Sequence, residues 1–486
     1  MSTTALVRRL EQIVGADAVF SHPSDLLVYE YDGSVEGAVD LARPVAVALP
    51  TTVEQVSAIV RLANEHDVPV VARGAGTGLS GGAVSQTAGI IVALTRMDRV
   101  LEIDPVNRTA MVEPGVINLE LSELTTPYGL FFAPDPSSQR ACTIGGNIAE
   151  NSGGPHCLKY GVTTNHILGL EVVMADGEVV WLGGQEPWQS GYDLVGAFVG
   201  SEGMLGIVTR ALVRLLPIPS TISVSLAAFA SMEDASHAVS AIIGAGILPA
   251  ALEMMDALTI RAVEPAFHAG YPMDAGAVLI IEVDGSADEV REVEGEVGRL
   301  CGQAGASSTR SATARAERDL LWKGRKMAIA AMGRLAPNYY LHDTVVPRSK
   351  LPETMARVRQ IGIDHDLPIA NMFHAGDGNL HPLMLFDRKL PGDVERVLEA
   401  SKELLTYCVG IGGALTGEHG IGTEKRDYMT LVFSGEDLAA MAGVKNAFDP
   451  RSLMNPEKMF PKGYVCGEVR ALRAQAIAQR HGIYAM

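Results

Sequence analysis

Arg73-Gly-Ala-Gly-Thr-Gly-Leu-Ser-Gly-Gly82 follows the apolar run Val68–Ala72 and places five glycines within ten residues. It contains the pattern G-x-G-x-x-G at Gly76, Gly78 and Gly81, so a doubly wound dinucleotide fold is the first reading to test. That fold needs a helix opening directly from the loop, whose first N–H groups hold a pyrophosphate. Here the loop continues into Ala83-Val-Ser-Gln-Thr-Ala-Gly89, which has no helical period, and then into strand-like Ile90–Leu94. The doubly wound reading is rejected. The loop's chemistry survives, because clustered glycines admit positive φ and close backbone approach and can turn successive N–H groups toward one anion. A plain tight turn is the bland alternative, and turns seldom need five glycines.

Two more stretches share that texture. Pro134-Asp-Pro-Ser-Ser138 leads into Thr143-Ile-Gly-Gly-Asn-Ile-Ala-Glu-Asn-Ser-Gly-Gly154, and Gly200-Ser-Glu-Gly-Met-Leu-Gly-Ile-Val-Thr209 follows. Their small side chains leave backbone amides free to meet a ligand. Three such stretches suit an extended, phosphate-bearing molecule such as a dinucleotide, whose identity the residue chemistry leaves open.

Outward from the first loop, strands and helices alternate. Val45–Leu49 reads as a strand, Thr51-x-x-Glu54 as a capping box, and Val53, Val56, Val60 and Ala63 as one apolar helix face. Short strand-like runs follow at Gly89–Leu94, Thr109–Val112, Leu170–Met174, Glu178–Trp181 and Gly206–Leu215. After Pro217-Ile-Pro219 the texture changes. Strand-like Ile222–Ala228, a helix capped by Ser231, strand-like Val278–Val283 and a helix capped by Ser286 suggest the β-α-β-β-α order of a ferredoxin-like domain. Helices are expected near 313–334, 350–364 and 392–410 around two strands at 368–386, with a charged helix at Val469–His481. The fold class is α+β: a helical lead-in over 1–40, a ligand-binding domain over 41–219, a second domain over 220–465 and a terminal helix over 466–486.

Apolar residues make up 47% of the 486, enough for several cores. The net charge of −18 argues against nucleic acid or an anionic membrane as partner, both of which need clustered Lys and Arg. A small anionic substrate stays open, since a site uses local charge. Five cysteines (Cys142, Cys157, Cys301, Cys408 and Cys466) form no C-x-x-C pair. That excludes a disulfide framework, a thiolate zinc finger and an iron–sulfur cluster of the chain's own, and points to a reducing, cytoplasmic setting. The start, MSTTALVRRLEQIVG, lacks the apolar core of a signal peptide, and Ala235–Leu252 is too interrupted to span a membrane.

The chemistry is expected in two segments, Phe373-His-Ala-Gly-Asp-Gly-Asn-Leu-His381 and Gly412-Gly-Ala-Leu-Thr-Gly-Glu-His-Gly-Ile-Gly422. His374 and His381 lie seven apart, an odd spacing that puts them on opposite faces of an unbroken strand. A turn at Gly376-Asp-Gly378 lets both imidazoles converge. With Glu418 they would form a two-histidine, one-carboxylate site for a divalent metal with open coordination positions. His419, pointing away from Glu418 in an extended segment, is left as a base with a near-neutral pKa. His156, His166, His237 and His268 read as structural residues. H-E-x-x-H is absent, which lowers a zinc-hydrolase reading.

In their order along the chain, the three glycine-rich stretches resemble the FAD-binding domain of the vanillyl-alcohol-oxidase and p-cresol-methylhydroxylase (PCMH) superfamily. In that fold two α+β subdomains clamp FAD, with the pyrophosphate on the first loop. The resemblance implies FAD contacts at Arg73, Gly74, Gly76, Thr77, Gly78, Leu79, Pro134, Asp135, Ser138, Thr143, Gly145, Gly146, Asn147, Asn151, Gly153, Glu202, Gly203, Ile207 and Asn455. Covalent members attach flavin through His or Cys, and residues 73–82 have neither, so non-covalent FAD is implied.

The two histidine segments, with Ala447-Phe-Asp-Pro-Arg-Ser-Leu-Met-Asn-Pro456, resemble the FAD-linked oxidase domain of the flavin-dependent D-2-hydroxyacid dehydrogenases. They are most similar to its glycolate-oxidase FAD-subunit branch, beside the D-lactate and D-2-hydroxyglutarate dehydrogenases. The resemblance implies that His374, His381 and Glu418 hold a divalent metal, zinc ahead of iron or manganese, and that His419 is the base. Arg325, in Leu321-Trp-Lys-Gly-Arg-Lys326, matches the arginine that grips the substrate carboxylate. A solvated helix charge is its bland alternative. Leu383 stands where the 2-hydroxyglutarate branch has Asn, which favours a small 2-hydroxy acid over a diacid.

The expected activity is oxidation of glycolate or D-lactate to the 2-oxo acid, with electrons passed to a separate acceptor protein, an iron–sulfur subunit or a quinone-linked chain. Attachment to the inner membrane would come only through such a partner, and a homo-oligomer is compatible. The alternatives are D-2-hydroxyglutarate oxidation, an NADPH-fed reductase of the same superfamily, and a catalytically silent FAD subunit of a larger complex.

Overall fold

A computed structural model describes residues 1–34, 42–185 and 191–461. The expected helix at Val469–His481, Cys466 and the boundary near residue 40 lie outside the described residues. The chain opens with α1 (Thr3–Val14), capped by Ser2 and burying Leu6 and Leu10. A four-stranded sheet follows, ordered β1 (Val19–Phe20), β2 (Ala46–Ala48), β4 (Ile90–Ala93), β3 (Val70–Arg73). β2 and β3 both run parallel to β4. The helix α2 (Val53–Glu65) makes the crossover from β2 to β3, and all four residues of its expected face, Val53, Val56, Val60 and Ala63, are buried. Its cap falls one residue later than the sequence suggests. Thr52 Oγ1 accepts the Gln55 N–H, while the Gln55 side-chain oxygen accepts the N–H of Thr51. Residues 74–89, between β3 and β4, contain no helix, which bears out the rejection of the doubly wound fold.

The second subdomain is a five-stranded antiparallel sheet, ordered β5 (Val100–Asp104), β6 (Thr109–Val112), β9 (Ile207–Arg214), β7 (Ile167–Val173), β8 (Val179–Gly183). The glycine-rich stretch after Thr143 folds as a short helix, α3 (Ile144–Glu150), with the Thr143 hydroxyl accepting the Gly146 N–H.

The C-terminal domain is built on β10 (Thr221–Phe229), α4 (Met232–Gly244), β11 (Ala251–Asp256), α5 (Ala257–Phe267), β12 (Ala277–Gly285), α6 (Ala287–Gln303) and β13 (Ser308–Ala312). The strand order β13-β10-β12-β11, all antiparallel, is the 4-1-3-2 arrangement of a ferredoxin-like sheet. The structure corrects the expected β-α-β-β-α order, because α5 is inserted between β11 and β12. Asp256 caps it by accepting the Thr259 N–H. Both sheet faces are covered. Leu252 and Met254 join the core under α4 and α6, whereas Ala251 and Met255 join the core on the other face. Strand alternation places Glu253 on that other face, toward α7 (Arg315–Lys326), which carries Arg325. The helix expected over 313–334 breaks at Met327 into α7, a short helix at Ala328–Ala331 and a 3₁₀ turn.

The sheet continues through β14 (Asn338–Leu341), β15 (Thr344–Val345), β16 (Ile369–His374), β17 (Asn379–Leu380) and β18 (Pro382–Phe386), so three strands occupy the region where two were expected. The helices α8 (Leu351–Asp364) and α9 (Asp393–Gly410) pack outside it. Between β16 and β17 the chain reverses, with His374 paired to Asn379 and Gly378 at φ +81°. No helix among the described residues is long and apolar enough to cross a membrane.

Candidate active site

One cleft of about 470 Å³ is lined by the first loop (Arg73, Gly74, Gly76, Thr77, Gly78, Leu79), by Ser138, Thr143, Gly145, Gly146, Asn147 and Gly153, and by Glu202 and Gly203. Its far end is lined by Arg325, His374, His381, Glu418 and His419. The two halves therefore meet in one space. At Gly153 they touch, and an added Cβ would lie 2.8 Å from Glu418 Oε2.

The first loop is held by the side chain of Arg73. Arg73 Nη2 donates to Tyr31 O at 2.8 Å and Nη1 to Ala83 O at 3.3 Å, so the guanidinium staples the loop from behind. Gly76, at φ +72°, leaves that guanidinium its space, since a Cβ there would lie 2.1 Å from Arg73 Nη2. Backbone that comes this close without side chains forms a groove for an elongated ligand. In that respect the residues present fit FAD.

Five of the residues expected to contact FAD do not line the cleft. Pro134 O accepts from Asn118 Nδ2, and Asp135 is engaged by the backbone and ring of His156. Asn151 closes α3 in a left-handed conformation and accepts the Thr164 N–H. Ile207 is buried in the core beneath the first sheet. Asn455 donates to Gly82 O and Glu202 O, tying two of the loops together from behind. Glu202 lines the cleft, yet its Oε1 accepts the N–H groups of Ile421 and Gly422 at 2.8 and 2.9 Å, a contact across the two domains.

At the far end the expected convergence of His374 and His381 occurs, with ring centroids 5.0 Å apart. His374 Nδ1 lies 2.6 Å from Glu253 Oε1, and His381 Nδ1 donates to His342 O at 3.1 Å. Both Nδ1 atoms being committed, both Nε2 atoms face Glu418 Oε1, at 3.1 and 3.0 Å. Two imidazole lone pairs and a carboxylate aimed at one point call for a cation or a proton among them, the donor set that suits a divalent metal. Burial alone would lower the His374 pKa, but Glu253 and Glu418 raise it well above the usual value. Burial would likewise raise Glu418, and His374 and His381 hold it well below the carboxylate range.

His419 does not point away from Glu418 as expected. Its Nε2 lies 3.8 Å from Glu418 Oε1, and its ring stacks on His381 with centroids 5.1 Å apart. Nor is its pKa near neutral. Burial pushes it down to about 4, with His381 adding to the effect and Asp343 opposing it. The imidazole is therefore neutral across the physiological range, with a free lone pair but weaker basicity than an exposed imidazole.

Arg325 is buried rather than solvated. Its Nη2 lies 2.7 Å from Glu253 Oε2, and its buried Nε has no hydrogen-bond partner. Glu253 thus orients both Arg325 and His374. The sequence reading missed it, although one carboxylate inside the apolar run Ala251–Met255 was a usable signal. Asp343, His381 and His419 form a second set within 4.8 Å. Lys425 Nζ lies 3.2 Å from Asp343 Oδ2, where it occupies a cation's place. Leu383 faces the core between Ala370 and Leu341. His156 and His166 are hydrogen-bonded as structural residues, His268 ends α5 and His237 is exposed.

Residues 44–183 match the family model for the FAD binding domain, and residues 218–459 match that for the FAD linked oxidases, C-terminal domain. The chain is 45% identical to glycolate oxidase subunit GlcD of Escherichia coli K12 over 97% of this chain and 93% of the relative. It is 40% identical to the GlcD of Bacillus subtilis, covering 95% and 98%. Identity to the D-lactate dehydrogenase of Archaeoglobus fulgidus is 35%, covering 86% and 91%. Among solved structures, substrate-bound p-cresol methylhydroxylase aligns with a TM-score of 0.79 at 20% identity, covering 94% of this chain and 97% of that one. Alkyldihydroxyacetonephosphate synthase aligns with a TM-score of 0.74 at 18% identity, covering 94% and 86%. With both domain models matched in order and relatives of this identity along nearly its whole length, the chain belongs to the FAD-linked oxidase family.

Proposed function

We propose that this protein oxidises a small 2-hydroxy acid, glycolate or D-lactate, to the 2-oxo acid with non-covalent FAD. The observation that carries the reading is the single cleft that joins a glycine-walled groove to Arg325, the His374–His381–Glu418 cage and His419. The names of the relatives, glycolate oxidase subunit and D-lactate dehydrogenase, agree with it.

When bound, FAD supplies the hydride acceptor, and a divalent ion (zinc before iron or manganese) supplies positive charge at the hydroxyl. Everything else is done by the chain's own residues. Arg325, which lines the cleft and whose Nε has no partner in the protein, offers the acid's carboxylate a charge-assisted hydrogen bond. His374, His381 and Glu418 would hold the ion, with Glu253 and the His342 carbonyl fixing the two rings. His419 Nε2, unprotonated at neutral pH, takes the hydroxyl proton as C2 gives up its hydrogen. Ile329, Leu341 and Met372 line the same cleft and make it apolar around the acid's remaining group, which suits a small substituent. Electrons then leave to a separate acceptor protein, an iron–sulfur subunit or a quinone-linked chain.

The test is anaerobic bleaching of the bound flavin by glycolate, each lactate enantiomer and 2-hydroxyglutarate. Glycolate or D-lactate should bleach it, and loss of no colour with any of the four would overturn the reading. Elemental analysis should find about one divalent ion per chain, as a two-histidine, one-carboxylate site requires.

A further inference from the structure

His342-Asp343-Thr344-Val345 runs behind the cage between β14 and β17. The segment touches every arm of the cage that lies beyond β16. His342 O accepts from His381 Nδ1, and His342 N donates to Pro382 O at 3.0 Å. Val345 and Ala414 exchange backbone hydrogen bonds at 3.2 and 2.9 Å, and Thr344 Oγ1 donates to Ala414 O at 2.7 Å. Between these contacts stands the Asp343 carboxylate, fully buried. It accepts three consecutive backbone N–H groups, those of Gly417 at 3.0 Å, Glu418 at 3.2 Å and His419 at 3.1 Å, and also the Thr416 hydroxyl. Lys425 Nζ donates to both Asp343 O and Oδ2, at 2.6 and 3.2 Å, and neutralises the charge.

A carboxylate has about four lone-pair sites, and here every one is taken by the turn or by Lys425. Charge-assisted bonds of this kind are shorter and stronger than neutral ones and fix geometry more tightly. We propose that Asp343 is the positioning residue of the site, setting where the Glu418 carboxylate and the His419 imidazole stand by gripping the backbone from which both project. The proposal rests on the reading above, in which Glu418 and His419 work in the cleft. Asp343 itself does not line the cleft, and Lys425 occupies the place a cation would take beside it. On the opposite side of the same turn, Glu202 of the FAD-binding domain holds Ile421 and Gly422. The turn is therefore suspended between a carboxylate of each domain.

Asp343→Asn keeps the volume and replaces one acceptor oxygen by an N–H₂ group that opposes the donors of the turn. FAD content per chain should stay at the wild-type level. In stopped-flow reduction by the acid that bleaches the wild type, the limiting rate should fall about 100-fold while the half-saturation concentration moves less than about threefold, the pattern of misplaced catalytic groups beside an intact Arg325. Divalent-ion affinity, read by chelator competition, should fall about 10- to 100-fold, as it does when groups supporting ligands are lost. A purely structural role would lower the melting temperature and leave both ratios unchanged. A folded, flavin-loaded variant with wild-type rate and wild-type ion affinity would overturn the proposal. Should Asp343→Asn purify without flavin, Thr416→Val removes one contact to Asp343, together with the acceptor of the Gly420 N–H, and leaves the carboxylate in place. Its limiting rate should fall about tenfold with flavin retained, and an unchanged rate would likewise overturn the proposal. If no acid bleaches the wild type, the reading of the function fails, and the ion-affinity comparison still judges Asp343.

Discussion

Along one wall of the cleft, Gly74, Gly76, Gly145, Gly146 and Gly153 present mainly backbone, whereas the other wall crowds Arg325, His374, His381, Glu418 and His419 together. The first wall recognises its ligand by what it omits, and its side chains, such as Arg73, work from behind. The second wall holds the buried groups Arg325, His374, His381 and Glu418, each tied down by another charge or a backbone group, with the neutral His419 ring stacked on His381. Adding atoms damages the first wall. In the second, removing or re-aiming a single polar atom is enough. Mutations should separate the two, with flavin content reporting on the first wall and flavin reduction on the second.

The largest separation is expected from His419→Ala. Bound flavin should be retained, and its reduction by a 2-hydroxy acid should slow by about 10²- to 10⁴-fold, the usual contribution of a positioned base. Near-normal reduction in stopped flow would remove His419 from that role. Arg325→Lys keeps a cation opposite Glu253 but loses the planar fork. The half-saturation concentration for the acid should rise about 10- to 100-fold with flavin content unchanged, in line with about 1.5–3 kcal/mol for a charged hydrogen bond. Gly76→Val should show the reverse pattern. A β-branched residue at φ +72°, with its Cβ 2.1 Å from Arg73 Nη2, should displace the loop. The left-handed strain alone costs about 1–2 kcal/mol, so FAD affinity should drop about tenfold or more, measured by flavin release on dilution.

The smallest effect concerns the seam between the domains. His156 Nδ1 lies 2.7 Å from Asp135 Oδ2 and its Nε2 lies 3.0 Å from Glu282 Oε1, so both ring nitrogens must carry protons to donate to both carboxylates. Burial lowers its pKa, and the two carboxylates raise it well above the ordinary value. The ring also packs against Trp322 and Tyr160, which carry no charge at neutral pH. A raised folded pKa gives stabilisation that is complete below about pH 6.5, the unfolded value, and is lost as pH climbs through the folded one. The melting-temperature gap between wild type and His156→Gln should therefore narrow as pH rises above about 6.5. A constant gap would show that His156 is neutral in the seam.

Much of this was readable in the sequence, for physical reasons that differ by region. The glycine-rich stretches and the seven-residue spacing of His374 and His381 are local, and an odd spacing broken by a glycine turn reports convergence directly. What the sequence did not carry was facing. Pro134, Asp135, Asn151 and Ile207 belong to the same stretches as lining residues and Asn455 to a later one, and only the fold shows that none of the five lines the cleft. Glu253 and Asp343 each sit alone in sequence and gain their partners, Arg325, His374 and the 416–419 turn, through contacts across 70 or more residues. The helix α5 was missed because its apolar residues follow β11 without a glycine or proline break, and the cap, Asp256, is itself the last residue of that strand.

The most direct test of the account is a structure of the protein with FAD and glycolate or D-lactate bound. The account predicts the isoalloxazine ring in the space between the glycine wall and the His374–His381–Glu418 cage. It also places the acid's carboxylate on Arg325 and its C2 about 3–3.5 Å from the flavin, the separation of a reacting pair. A ring seated outside that cleft, or an acid bound away from Arg325 and His419, would contradict it.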